Sequence, residues 1–143
     1  MAFFKSSTNA KERLSVIQGQ LGIPTHKLVQ EVETRWNSTF QMLKRMYEQR
    51  LAVGAALGSL TTDIPALSTT DLQTVSECLE ILGPFNHATV ELSEEKRVSS
   101  SKVIPILRML QHKVSSKCAN MGNPTALLLG QNLLQQMKAK CSV

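Results

Sequence analysis

Aromatic side chains are scarce in this chain, at 4% of 143 residues, with one Trp, one Tyr and four Phe. A core must therefore come from Leu, Val, Ile, Ala and Met, which suits helix-on-helix packing better than a β-sandwich. Cysteine is sparse as well. Cys78, Cys118 and Cys141 are odd in number and widely spaced, which excludes a disulfide framework and points to a reducing compartment, the nucleus or the cytoplasm. The three histidines, His26, His87 and His112, stand in no metal-ligand spacing with those cysteines, so no zinc site and no metal cofactor is expected. No run of about 18 apolar residues exists, and Met1 to Phe4 gives way at once to Lys5, Ser6 and Ser7, which leaves neither a membrane span nor a signal-peptide core.

Catalytic signatures are equally missing. There is no phosphate-binding glycine loop, no nucleophile elbow and no helical His-Glu-x-x-His, each of which a known chemistry requires. Paired acids such as Glu31 with Glu33, and Glu94 with Glu95, read as solvated surface charge. The expectation is a non-enzyme with no cofactor and no small-molecule substrate.

What is present is a segregated charge pattern. Residues 1 to 50 hold eight bases and four acids, residues 51 to 95 hold seven acids and no base, and residues 96 to 143 hold eight bases and no acid, for a net charge of +5. Such blocks fit either basic segments that meet nucleic acid phosphates or oppositely charged helices that neutralise one another within the fold.

The length suits one domain, and a chain of this size buries roughly two-thirds of the surface it exposes when unfolded. Apolar periodicity predicts an all-α, irregular bundle of about five helices in a single segment spanning 1–143. Residues 1–36 supply a short helix and an extended lead-in, with Asn9 as the cap, Leu14, Ile17 and Leu21 as the apolar stripe, and Gly22 and Pro24 as the stop. Residues 27–34 form at most a brief strand. A long helix over 37–60 starts at a Ser38-x-x-Gln41 capping box, with Phe40, Leu43, Tyr47, Leu51, Gly54 and Leu57 as its stripe. Gly54 and Gly58 near its end either admit a neighbouring helix or let the end fray. A kinked helix over 69–93, or two helices in tandem, starts at Thr70-x-x-Gln73, buries Leu72, Val75, Leu79 and Leu82, and bends or breaks at Gly83-Pro84. Two further helices occupy 101–140, the first with Pro105 in or near its opening turn, the second with Leu128, Leu129, Leu133, Leu134 and Met137 on one face and Lys138 and Lys140 at its C-terminal dipole.

One feature stands apart from this scaffold. Thr34-Arg35-Trp36-Asn37-Ser38-Thr39 holds the only Trp, next to an Arg and just ahead of a capped helix. An indole stacks on nucleobases and an Arg pairs with phosphate, so Arg35 and Trp36 are candidate nucleic-acid contacts. The alternative is a hydrophobic staple, with Trp36 packed on the first turn of the following helix. Partial burial of Trp36 beside a more exposed Arg35 is expected.

These residues also carry a resemblance. Phe4-Lys5-Ser6-Ser7, Ala10 to Leu14, and Val32 to Arg45 with its Thr-Arg-Trp-Asn-Ser block resemble the region after the second catalytic Asp of hAT-superfamily transposases and zinc finger BED domain-containing proteins. Leu82-Gly83-Pro84-Phe85 with Ala88-Thr89, then Leu92 to Lys96, then Ser101 to Pro105, follow the same family's series in the same order. The match covers roughly residues 4 to 110. It implies the first part of the helical insertion that interrupts an RNase H-like core, and it implies that Arg35 and Trp36 correspond to a pair lying near DNA in active transposases. The BED finger, the catalytic acids and the dimerisation region of that family have no counterpart in this sequence. The expectation is a non-catalytic fragment or domesticated derivative of a hAT-type transposase, nuclear, associated with DNA or a protein partner. The alternative is a helical interaction module, binding a protein or self-associating through exposed helix faces, with no nucleic-acid role.

Overall fold

In the computed structural model, described for residues 2–31, 36–94 and 100–141, every regular element is a helix. Among the described residues there are seven: α1 (Ala2–Ser6), α2 (Thr8–Gln20), α3 (Trp36–Glu48), α4 (Arg50–Ser59), α5 (Thr69–Ser93), α6 (Ser100–Ala119) and α7 (Pro124–Cys141). The all-α expectation holds, and residues 23–31 carry no strand. The surplus over five helices has two sources, the added α1 and a break at Gln49 in the expected 37–60 helix.

The single segment expected over 1–143 is two compact units, 1–72 and 73–143, whose boundary falls in the opening turn of α5. In the N-terminal unit α2 packs on α1 and α4, burying Phe4, Ala10, Leu14, Ile17, Ala52 and Ala56 together. In the C-terminal unit α6 packs on α7, and Ala88, Ile106, Leu110 and Met137 form the core.

Helix ends explain where the elements begin. Ser7, not Asn9, caps α2: its backbone is extended and its Oγ accepts the Ala10 N–H at 3.2 Å. At the other end Gly22 takes φ 67°, its N–H reaches the Gly19 carbonyl at 3.2 Å, and the Ile23 N–H reaches the Gln18 carbonyl at 3.1 Å. This is the Schellman arrangement, which needs a left-handed residue at the position Gly22 holds. The capping box of α5 is Ser68 with Asp71, not Thr70 with Gln73. Ser68 Oγ accepts the Asp71 N–H at 3.1 Å while Asp71 Oδ2 accepts the Ser68 N–H at 3.0 Å. A Ser-x-x-Asp closes the same reciprocal loop as Ser-x-x-Glu, since either carboxylate reaches back to the cap N–H. Likewise Trp36 and Asn37 are already helical in α3, so Ser38 is not its cap.

Pro84 and Pro105 sit inside helices: Pro84 lies within α5 without ending it, so 69–93 is one helix, and Pro105 lies within α6. Asn123 starts α7: its Oδ1 accepts the N–H groups of Thr125 and Ala126 at 3.0 and 3.1 Å, with Pro124 at the first helical position, where no N–H is needed. Its remaining groups reach α5, the side-chain amide donating to Thr74 Oγ1 at 2.8 Å and the backbone N–H to Glu77 Oε2 at 2.9 Å.

Gln49 is the reason the long helix divides. It is 1% exposed, its backbone leaves the helical well at φ −98°, ψ 11°, and its Oε1 accepts Gln18 Nε2 at 2.7 Å. Gln18, itself 2% exposed, gives its second proton to the His26 carbonyl at 3.0 Å, and Gln49 donates to the Pro24 carbonyl at 3.3 Å. Backbone bonds from Gln49 to Arg45 and from Val53 to Gln49 bridge the break. Past it the buried face of α4 is Ala52 and Ala56, while Leu51, expected inside, is 65% exposed. The buried face of α5 is likewise Ile81 and Ala88; Leu72, Val75, Leu79 and Leu82 are only half-buried. In α7 Leu128 is exposed, and Ala126 and Met137 are buried. Gly54 and Gly58 face open space, so neither serves close helix approach. That role belongs to Gly130, where a Cβ would run into Cys118 Sγ and crowd Ile81.

Two outcomes follow. Replacing Gln49 by Leu leaves a Gln18 proton and the Pro24 carbonyl without partners, and should cost about 1–3 kcal/mol in urea unfolding, whereas the Gln18→Leu, Gln49→Leu double variant should cost less than the sum of the two singles. Additive losses would show that the pair is not coupled. The cap of α5 should fray in acid. The Ser68 N–H, and next the Ser68 hydroxyl, hold the Asp71 carboxyl below its ordinary value of 3.8, so its contribution is complete above that value and disappears as the pH falls through the depressed one. Amide chemical shifts of Ser68 and Asp71 should move in that acid range and be pH-independent in Asp71→Asn; shifts that stay flat in the parent chain would overturn the assignment.

Candidate nucleic-acid interface

Trp36 is the first residue of α3, and the geometry of that turn decides what its indole does. Phe40, one turn on, is buried and anchors the helix, so the backbone at Trp36 is fixed while the indole is 44% exposed. A staple residue precedes the cap, and Trp36 is already helical, so that arrangement is not the one adopted. Partial burial was expected, and Trp36 instead stands among the exposed large hydrophobic residues. Arg35 lies outside the described residues. Beside Trp36, Asn37 is half-buried with its Oδ1 lacking a hydrogen-bond partner.

The basic residues of the N-terminal unit divide by type. Arg45 donates to the Lys27 carbonyl at 2.9 Å and pairs with Glu48 at 3.4 Å. Arg50 stacks on the Tyr47 ring, 4.3 Å from its centroid, and donates to the Tyr47 carbonyl at 2.8 Å, while Arg13 Nε donates to Ser59 Oγ at 2.9 Å. The lysines of the same unit, Lys5, Lys11, Lys27 and Lys44, are exposed. Sequence reasoning missed the groove that three of them line, about 650 Å³ in volume, between α1, α2 and residues 25–30. Its signal was the three lysines among residues 5 to 27.

Elsewhere the side chains offer little reactivity. Among the described residues no three or more of His, Cys, Asp and Glu gather as a metal site would require, and no helix is long and apolar enough to cross a membrane. Burial, and then the neighbouring Glu77, push the Cys78 thiol above its ordinary range, which keeps it protonated and a poor nucleophile.

The fold and this site define a class: an all-helical module in which a half-exposed Trp at a helix start and a lysine-lined groove share one small unit. Residues 1–81 match the model of the ZBED1 RNase-like helical domain, and the chain belongs to that family. It is 33% identical over 109 residues to human zinc finger BED domain-containing protein 4, covering 76% of this chain and 9% of that protein. To human zinc finger BED domain-containing protein 6 it is 29% identical over 107 residues, 75% of this chain and 11% of that protein. The chain thus spans about a tenth of the length of these curated relatives. No solved structure matches it. The resemblance drawn from the Thr-Arg-Trp-Asn-Ser block and the ordered motifs after it is borne out at the level of the family.

Exposure of the indole sets the stability expected of a truncation. A fully buried aromatic costs about 3–5 kcal/mol when cut to Ala, so Trp36→Ala should cost only about 1–2 kcal/mol. Denaturant unfolding checks this, and a loss in the full-burial range would make Trp36 a structural anchor.

Proposed function

We propose that this chain is a non-catalytic, hAT-transposase-derived helical module that works in the nucleus and associates with DNA through the start of α3. The observation that carries the reading is the 44% exposure of Trp36 on a backbone held by buried Phe40. Stacking of an indole on an unpaired or flipped base is worth about 1–3 kcal/mol. Family membership supports the transposase origin, and the resemblance implies that Arg35 and Trp36 correspond to a pair lying near DNA in active transposases. The module takes part in binding, while strand chemistry needs carboxylates arranged around metal ions.

Fluorescence anisotropy with a labelled oligonucleotide carrying a single-stranded end tests this. Binding should weaken steeply with salt. Trp36→Ala should weaken it by about 1–3 kcal/mol at constant salt, and Arg35→Ala should reduce the salt slope by about one phosphate contact. With magnesium present the strands should stay intact. Equal affinity of the parent chain and the Arg35→Ala, Trp36→Ala double variant at low salt, with folding confirmed, would end the nucleic-acid reading.

A further inference from the structure

The groove of the N-terminal unit is built differently from the Trp36 site and does not depend on it. Its floor is apolar, made by Phe4 and Leu14, both buried, and half-buried Leu28. Its rim carries the exposed side chains of Lys5 on α1, Lys11 on α2 and Lys27 on the 25–30 wall, against one carboxylate among the described residues, that of Glu12. A volume of about 650 Å³ lies within the range that encloses a ligand the size of a short peptide segment. The wall is held before anything binds. Gln18 and Gln49 grip the carbonyls of His26 and Pro24, the Schellman turn at Gly22 fixes where the wall leaves α2, and Arg45 holds the Lys27 carbonyl. A preformed wall spares an occupant the entropy of ordering it.

We propose that this groove docks an acidic peptide segment of a partner protein, one that sets a large aliphatic side chain among its carboxylates. The aliphatic side chain enters between Phe4, Leu14 and Leu28, and the carboxylates face Lys5, Lys11 and Lys27. Charge complementarity selects the sign of the partner. The floor selects peptide over nucleic acid: with Phe4 and Leu14 6% and 5% exposed, half-buried Leu28 is the main apolar surface open to the groove, enough for one aliphatic side chain, and Phe4 offers no ring face for a base to stack on. Lysines suit this task because an ammonium on a flexible stem follows carboxylates whose spacing varies, whereas Arg would favour a fixed bidentate geometry.

Anisotropy of a short fluorescein-labelled peptide of alternating Glu and Leu, added to the full chain, tests the proposal. Saturable binding that weakens with salt is expected. The Lys5→Glu, Lys11→Glu, Lys27→Glu variant and a peptide with Leu replaced by Ser should each lose about tenfold or more in Kd, equivalent to about 1.4 kcal/mol. Glu12→Gln should tighten binding, and reversal of Lys138 and Lys140, at the end of α7, should leave it unchanged. Lys27→Glu alone, on an exposed part of the wall, keeps the test decisive should the triple variant fail to fold. Equal binding of the Ser-substituted peptide would reduce the groove to a general anion surface and overturn the proposal. So would displacement of the peptide by duplex DNA as effective as by unlabelled peptide, or absence of binding at low salt to a chain shown to be folded.

Discussion

The hydrogen bond between Gln18 Nε2 and Gln49 Oε1, 2.7 Å long and closed to solvent, is the constraint on which the N-terminal unit depends. Two amides taken out of water are costly unless their strong hydrogen-bonding atoms find partners, and in a low-dielectric interior a satisfied pair is correspondingly firm. Here the protons left over are spent on the carbonyls of Pro24 and His26. The network therefore joins the last turns of α2, a segment with no regular structure of its own, and the junction of α3 and α4. A segment without a ladder must place its backbone groups somewhere, and for residues 24 and 26 the two glutamines are the answer. An apolar pair at these positions would fill the same space but release that segment.

The same network shows why part of the fold was legible in the sequence and part was not. Helix class and approximate extent follow from apolar spacing, which survives small errors of register. Gln is an ordinary helix former and its burial has no periodic signature, so nothing in residues 37–60 marks Gln49 as the place where the helix divides. Once it divides, the stripe after it rotates: Leu51 goes to solvent and Ala52 and Ala56 go inside. The α-helix starts were misread for a related reason. Ser7 and Asn9, or Ser68 and Thr70, are equally good caps by type, and only the tertiary path of the chain chooses between them. Gly130 was invisible because its use lies in what packs against it, Cys118 and Ile81, from helices distant in sequence.

The candidate site was half legible. Trp36 draws notice as the single Trp beside an Arg at a helix start, and the resemblance adds a reason to regard that pair as functional. Its half exposure is a tertiary fact that no spacing encodes. The lysine groove carried a weaker trace, three lysines among residues 5 to 27 that a count over fifty residues merges with Arg13, Arg45 and Arg50.

Those arginines separate the two surfaces in physical terms. All three give their planar donors to groups of the unit itself, to Ser59, Lys27, Glu48 and Tyr47, and a guanidinium committed in this way is not available for bidentate reading of a base edge. The described lysines that remain exposed are point charges. They attract phosphate or carboxylate through salt-dependent fields that carry no sequence information. Any DNA contact made by this unit therefore takes its strength from stacking at Trp36 and from screening-sensitive charge, and base selectivity has to come from Arg35 or from outside the unit. Selectivity among acidic peptides has a different source, since the apolar floor between Phe4, Leu14 and Leu28 discriminates by the size of the side chain it accepts. Under the two proposed readings charge draws either partner to one small unit, and the surface each meets, an exposed indole or a recessed aliphatic floor, decides which of them stays.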